Sequence, residues 1–392
     1  MKSVINKYRH FMQKKGIPKD TEVLMMGNKR YLPNPSDKKN KWEDFQEDLM
    51  SRIWFSYRTK IPDFPLDSNS DTGWGCTYRS VQMLLAQAYS SIYLGRDWRL
   101  THPDTNLKKF YVSILKQFAD EKGKPYSIHN MMKKLTQLGK SFGDWIGPNT
   151  ASQCIKLLVE DHHFKHFRIY IANDEDDFFE KLLEATSKIE IVEDDFIEKN
   201  NKEIENENEN EKNNSNQKET KKEKQKRVNF EKEKEKEKEK GEIKHKRKHK
   251  RREKNEKKDI DWVPVLIIIP IRLGIEKINP IYYKNILFTF SMSQSIGIIG
   301  GKPNSSYYFM AKQDDELFFL DPHRIQPVID FSLPKINTSS YHCKHVYRIN
   351  IKNLDPSMAF GFICKTYSDF RQFSKEVRKF HDKTKDKIFF IK

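Results

Sequence analysis

Between Glu193 and Lys258 the sequence carries few apolar side chains, with Val228 and Phe230 the main exceptions. Residues 193–212 hold nine acids and three bases, a net of −6, and residues 221–258 hold twenty bases and nine acids, a net of +11. Ordering a backbone costs about 1–2 kcal/mol per residue, and this composition cannot bury enough surface to offset it, so disorder is expected. The strict Glu-Lys alternation from Glu231 to Lys240 gives a helix only mixed support, with like charges at i,i+4 and opposite charges at i,i+3. Any fold open to this chain must therefore be assembled from the sequence on either side. The expected organisation is a tail over 1–20, an ordered block over 21–192, the charged insertion over 193–259, a second block over 260–380 and a tail over 381–392. Neither block reads as self-sufficient, which points to one domain with a long surface loop.

The net charge of the 392 residues is +17, of which residues 193–258 supply +5 and the rest of the chain +12. A basic balance favours acidic surfaces, nucleic acid or anionic headgroups. The densest run, Lys244 to Arg252, has the composition of a nuclear-import or nucleic-acid patch. No aromatic side chain interleaves its charges to stack on bases, so no specific nucleic-acid partner is expected. Four cysteines are too few for a secreted disulfide scaffold. The N-terminus lacks an apolar signal core, and the longest apolar run, Val263–Ile271, is too short to span a bilayer. A soluble, cytoplasmic, reducing setting with free thiols follows as the expectation.

Cys76 ends the segment Asp71-Thr72-Gly73-Trp74-Gly75-Cys76, and apolar residues then recur at Val81, Leu84, Leu85, Ala88 and Ile92. That spacing predicts a helix beginning near Cys76. A helix N-terminus favours a thiolate, and its unpaired N–H groups can hold an oxyanion. A cysteine taken at random is more often an inert core residue; the glycine bracket and the helix start set Cys76 apart. Cys154, in an ordinary amphipathic pattern, reads as core. Asp321-Pro322-His323 follows the apolar run Leu317–Leu320, which reads as a strand after a turn at Asp314-Asp315. Continued extended, residues 321 and 323 would face one cleft, and the carboxylate could orient an imidazole that deprotonates Cys76. Two decoys fall away. Gly297–Lys302 lacks the first glycine and the final Ser or Thr of a phosphate-binding loop, and His342-Cys343-Lys344-His345 lacks the ligand spacing of a zinc site. His162, His163 and His166 read as a solvated helix face.

Longer motifs accompany these residues. They include Arg52–Arg58, Ser70–Cys76, Leu94–Arg99, Trp145–Thr150, Pro270–Gly274, Ser295–Ser305, Leu320–His323 and Leu354–Phe362. Taken in order, this set resembles the autophagins, the cysteine proteases of autophagy-related protein four type. The resemblance implies an α/β (α+β) papain-like fold and a Cys76–His323–Asp321 triad. It implies an oxyanion site shared by the Tyr57 hydroxyl and the Cys76 backbone N–H, and a glycine channel covered by Trp145. It implies no metal or organic cofactor, a monomer, and a ubiquitin-like modifier of autophagy-related protein eight type as substrate. That modifier would be cut after its glycine and released from phosphatidylethanolamine during transient contact with a membrane surface. Ser293 stands where the family commonly has proline, and the tail Ile388–Lys392 departs from the family's aromatic-x-x-aliphatic spacing. A protease for another ubiquitin-like modifier and an inactive modifier-binding adaptor are the competing readings.

Overall fold

The computed structural model describes residues 21–31, 38–101, 104–162, 167–172 and 262–381. The charged insertion, the N-terminal tail, residues 382–392 of the C-terminal tail, His163 and His166 lie outside the described residues. In chain order the elements are β1 (Val23–Met25), β2 (Lys29–Tyr31), α1 (Lys38–Ser51), β3 (Arg58–Thr59), α2 (Cys76–Tyr93), α3 (Thr105–Gln117), α4 (Ile128–Gln137), α5 (Pro148–Asp161), β4 (Arg168–Ile171), β5 (Val265–Arg272), α6 (Tyr283–Thr289), β6 (Ser295–Lys302), β7 (Ser305–Gln313), β8 (Glu316–Leu320), β9 (Gln326–Pro327), β10 (Tyr347–Asn350), β11 (Ser357–Cys364) and α7 (Tyr367–His381).

The main sheet runs β10-β8-β7-β6-β11-β5-β4, with the β1–β2 hairpin joined to β7. Two tight hairpins build its centre. Lys302 pairs with Ser305 across Pro303-Asn304, and Gln313 pairs with Glu316 across Asp314-Asp315. Asn304 and Asp314 take φ of 62° and 50°, the left-handed conformation that two-residue hairpins require and that Asn and Asp tolerate. The apolar run Val265–Ile269 is buried because β5 lies between β4 and β11. Its Pro270 sits past the last β4 pair, Ile171 with Ile268, where a missing N–H breaks no β4 ladder bond. The glycine-rich decoy Gly297–Lys302 is interior strand, β6, and forms no loop.

Helix α2 starts at Cys76 as its spacing predicts, and every residue from Cys76 to Ser91 is buried. It packs on β6, β7 and β11, with α3 and α5 also against it. A helix buried all round must satisfy its own polar groups. Accordingly Arg79 bonds Asp71 and Asp120, and Gln82 donates to the Tyr126 carbonyl at 2.7 Å. A thiol-bearing helix against a largely antiparallel sheet is the papain-like α/β arrangement expected. The described residues on both sides of 173–261 belong to the same compact unit.

One expectation is corrected. Strand β8 ends at Leu320, and Pro322 and His323 lie in a turn, so Asp321–His323 is not an extended continuation of the strand. The Asp321 Oδ1 accepts the His323 backbone N–H at 3.0 Å, closing an Asx turn that competes with the ladder.

Candidate active site

The Asx turn places the carboxylate and the imidazole side by side: Asp321 Oδ1 and His323 Nδ1 are 2.6 Å apart. One oxygen thus binds both the backbone and the ring of the same histidine. The outer ring nitrogen, Nε2, is buried and makes no hydrogen bond of ordinary geometry among the described residues. The imidazole still acts on the Cys76 thiol, through hydrogen bonding and charge.

Cys76 is the first residue of α2, so its N–H has no partner within the helix. The turn before it is tightly built. Gly73 takes φ of 95°, and a Cβ added at Gly75 would sit 2.4 Å from Asp71 Oδ2. Asp71 is fully buried. Its two oxygens accept the Arg58 N–H and the Arg79 Nε–H, both at 2.7 Å. Arg79 in turn donates to Asp120 at 2.9 Å. This buried Asp-Arg-Asp series fixes the loop that delivers the thiol.

The stretch 52–58 ties the two halves of the site together. The Trp54 indole N–H donates to the Asp321 carbonyl at 2.8 Å, and the Tyr57 N–H donates to the Pro322 carbonyl at 2.8 Å. The Gln326 N–H returns to the Tyr57 carbonyl at 3.0 Å, where β3 and β9 pair in parallel. The Tyr57 hydroxyl interacts with Cys76, and the ring lies edge-on to His323 with centroids 5.4 Å apart.

These contacts set the charge states. Burial opposes ionisation of Cys76, but His323, the Ser306 backbone and the Tyr57 hydroxyl favour the thiolate and bring the thiol below its ordinary value. Burial likewise opposes the charged form of His323, yet Asp321 and Cys76 outweigh it and raise the ring to about 10. Burial, then the charge of Cys76, keeps the Tyr57 hydroxyl protonated and able to donate. Burial pushes two other thiols up instead, Cys154 to about 12 and Cys343 to about 11. None of the four cysteines forms a disulfide. The cluster therefore brings the Cys76 thiol, the His323 imidazole and the Tyr57 hydroxyl together, with contacts that favour the thiolate and the imidazolium.

Trp145 stands outside this cluster, 50% exposed, on the loop between α4 and α5. The neighbouring Asp144 carbonyl accepts the Tyr78 hydroxyl at 3.1 Å, which fastens the loop along the first turns of α2. Ser306 and Tyr307, at the start of β7, carry no role in the sequence reading, yet both touch the cluster. The His342 decoy is a core residue: Nδ1 bonds the Met50 carbonyl at 2.8 Å and Nε2 bonds the Tyr111 hydroxyl at 2.5 Å. Among the described residues, no His, Cys, Asp and Glu group converges as a metal site, and no helix is long and apolar enough to cross a membrane.

Comparison with known proteins agrees with this geometry. Residues 42–376 match the family described as the peptidase C54 catalytic domain. Human cysteine protease ATG4A is 32% identical over 368 residues, covering 92% of this chain and 79% of that protein. Mouse cysteine protease ATG4A is 33% identical over 339 residues, covering 85% and 73%. Chicken cysteine protease ATG4B is 32% identical over 352 residues, covering 86% and 76%. The chain therefore belongs to the peptidase C54 family and is an autophagy cysteine protease of the ATG4 type.

Proposed function

We propose that the protein cleaves a ubiquitin-like modifier of autophagy-related protein eight type after its C-terminal glycine, both in the precursor and in the conjugate with phosphatidylethanolamine. The observation that carries this reading is the polarised series Asp321–His323–Cys76, whose first pair lies at 2.6 Å and whose thiol lies below its ordinary value. The Cys76 thiolate attacks the glycine carbonyl carbon, and the oxyanion that forms is held by the Cys76 N–H and the Tyr57 hydroxyl. His323 then gives its Nε2 proton to the leaving nitrogen as the carbon–nitrogen bond breaks, leaving a thioester on Cys76. A water, losing its proton to His323, attacks the thioester carbonyl. The glycine carboxylate departs and the thiolate and imidazolium return.

Precursor peptide and lipid conjugate differ only in the amine that leaves, so one site serves both. Trp145 on its exposed loop covers the channel for the glycine, where a larger side chain would collide with the aromatic wall. The chain works as a cytoplasmic monomer that meets membranes only while its lipidated substrate is bound. The domain runs from 21–192 into 260–380, with 193–259 inserted between them.

Tagged precursors of several ubiquitin-like modifiers, incubated with the wild-type chain and with Cys76→Ala, test this. The expected result is cleavage of the autophagy modifier after glycine by the wild type and none by the variant. Cleavage of a different modifier alone would overturn the substrate. Cleavage by Cys76→Ala would overturn the nucleophile.

A further inference from the structure

Asp321 binds the His323 imidazole at Nδ1, 2.6 Å away, while the buried Nε2 makes no hydrogen bond of ordinary geometry among the described residues, although the Cys76 thiol acts on the ring through hydrogen bonding and charge. What packs against the ring therefore also bears on where Nε2 points. Two aromatic rings flank the imidazole. Tyr57 stands at 5.4 Å with an interplanar angle of 88°, and Tyr307 stands at 5.5 Å with an angle of 73°. Both fall in the range of favourable edge-to-face contacts.

Tyr57 has a role of its own through its hydroxyl. Tyr307 has none in the chemistry above, although it is only 6% exposed. Its ring packs at 4.4 Å on Phe319, in the strand that runs directly into Asp321. The residue before it, Ser306, donates its backbone N–H toward the thiolate and bonds Ser80 of α2 through its hydroxyl at 3.1 Å. One short piece of β7 thus touches both the nucleophile and the histidine, and its ring is anchored on the strand that carries the histidine.

We propose that Tyr307 is a positioning residue: with Tyr57 it brackets the His323 imidazole and holds Nε2 on the line to Cys76 that Asp321 begins to set. The proposal rests on His323 being the acid–base group of the reaction. Four titratable groups face that ring: Asp321 on its own turn, Cys76 on α2, Tyr57 on the stretch before β3, and Tyr307 on β7. Burial comes first in keeping both tyrosines protonated, so neither adds a competing negative charge. The ring of Tyr307, not its hydroxyl, is the part that acts.

The test compares the full chain with Tyr307→Phe and Tyr307→Leu in two assays. Precursor cleavage gives kcat and KM. Alkylation of Cys76 by iodoacetamide across pH needs no substrate, so it reads the proposal even if the modifier assignment fails. Tyr307→Leu should lower kcat about tenfold with KM within about twofold, an edge-to-face pair's effect. The upper step of its alkylation profile should move to lower pH. Tyr307→Phe should restore both. Wild-type behaviour of Tyr307→Leu, or equal impairment of Tyr307→Phe, would overturn the proposal. If Tyr307→Leu does not fold, histidine-labelled protein supplies the reading by NMR. The His323 ring-proton shifts should change more in Tyr307→Met than in Tyr57→Phe, which keeps its ring; shifts unchanged in Tyr307→Met would overturn the bracket.

Discussion

His323 and Cys76 move each other's ionisation in opposite directions, and the pH dependence of the reaction follows from the signs. The thiol lies below its ordinary value and the imidazole is raised to about 10. The reactive form needs the thiolate and the imidazolium together. It is gained as pH rises through the lowered thiol value and lost as pH rises through the raised imidazole value. A bell-shaped profile of kcat/KM is expected, with its acid limb below the ordinary thiol range near pH 8.5 and its alkaline limb well above an ordinary histidine near 6.5. Asp321→Asn removes the carboxylate that raises the ring. Its alkaline limb should fall toward 6.5, and kcat/KM should drop on the order of 10²–10⁴-fold, as measured by precursor cleavage across pH. At this scale the sequence proposes residues more readily than it shows how they meet. Cys76, Asp321 and His323 are proposed by type and by neighbouring glycine and proline. The Asx turn is not, because one carboxylate oxygen capturing both a backbone N–H and a ring N–H is local competition with a strand that periodicity cannot register.

Among the elements, the stretch 52–58 does more for the site than any helix. It runs beside the turn of Cys76 through the Arg58 N–H and beside the turn of His323 through the Trp54 indole and the Tyr57 N–H. Removing the Asp71 carboxylate would release the first of these holds and leave Arg79, itself fully buried, with Asp120 as its remaining ion-pair partner. Breaking a buried pair from one side costs about 3–5 kcal/mol. Asp71→Ala is expected to lose stability of that order in urea unfolding, and a wild-type midpoint would contradict it. Gly75→Ala probes the same turn from the other direction. Its Cβ would meet Asp71 Oδ2 at 2.4 Å, so the turn must shift. Overpacking of this kind costs about 1–3 kcal/mol. The expected signature is a fall in the rate of Cys76 alkylation at pH 7 beyond what the change in melting temperature explains. Helix α2 and strand β8 were legible because their apolar spacing is regular. The stretch 52–58 is not, since only Arg58 of it joins a ladder, in β3, and it is held by bonds to residues more than 260 positions later.

At the level of the whole molecule, the pairing of β4 with β5 joins the two halves of the chain. Arg168 to Ile171 run parallel to Val265 to Ile268, so the chain leaves the sheet and re-enters it one strand away. The sequence expectation of one domain, drawn from a thiol and an imidazole in blocks that do not read as self-sufficient, says nothing of a sheet that takes strands from both sides. Nor does it set the strand order, which depends on pairings such as β11 between β5 and β6 that no local pattern specifies. If 193–259 is an insertion with no part in the core, the connection between β4 and β5 can be shortened at little cost. Loop-closure entropy grows only with the logarithm of length, so excising these residues should stabilise the fold by about 1 kcal/mol. A chain lacking 193–259 is therefore expected to melt at or slightly above the full-length temperature and to cleave precursor with kcat/KM within about twofold. The excision also removes a net +4 of charge, so salt-sensitive attachment to anionic vesicles or nucleic acid, if the full chain shows any, should weaken in the shortened one. Loss of folding in the shortened chain would place part of the core inside 193–259. Loss of cleavage with folding intact would give the segment a part in substrate capture.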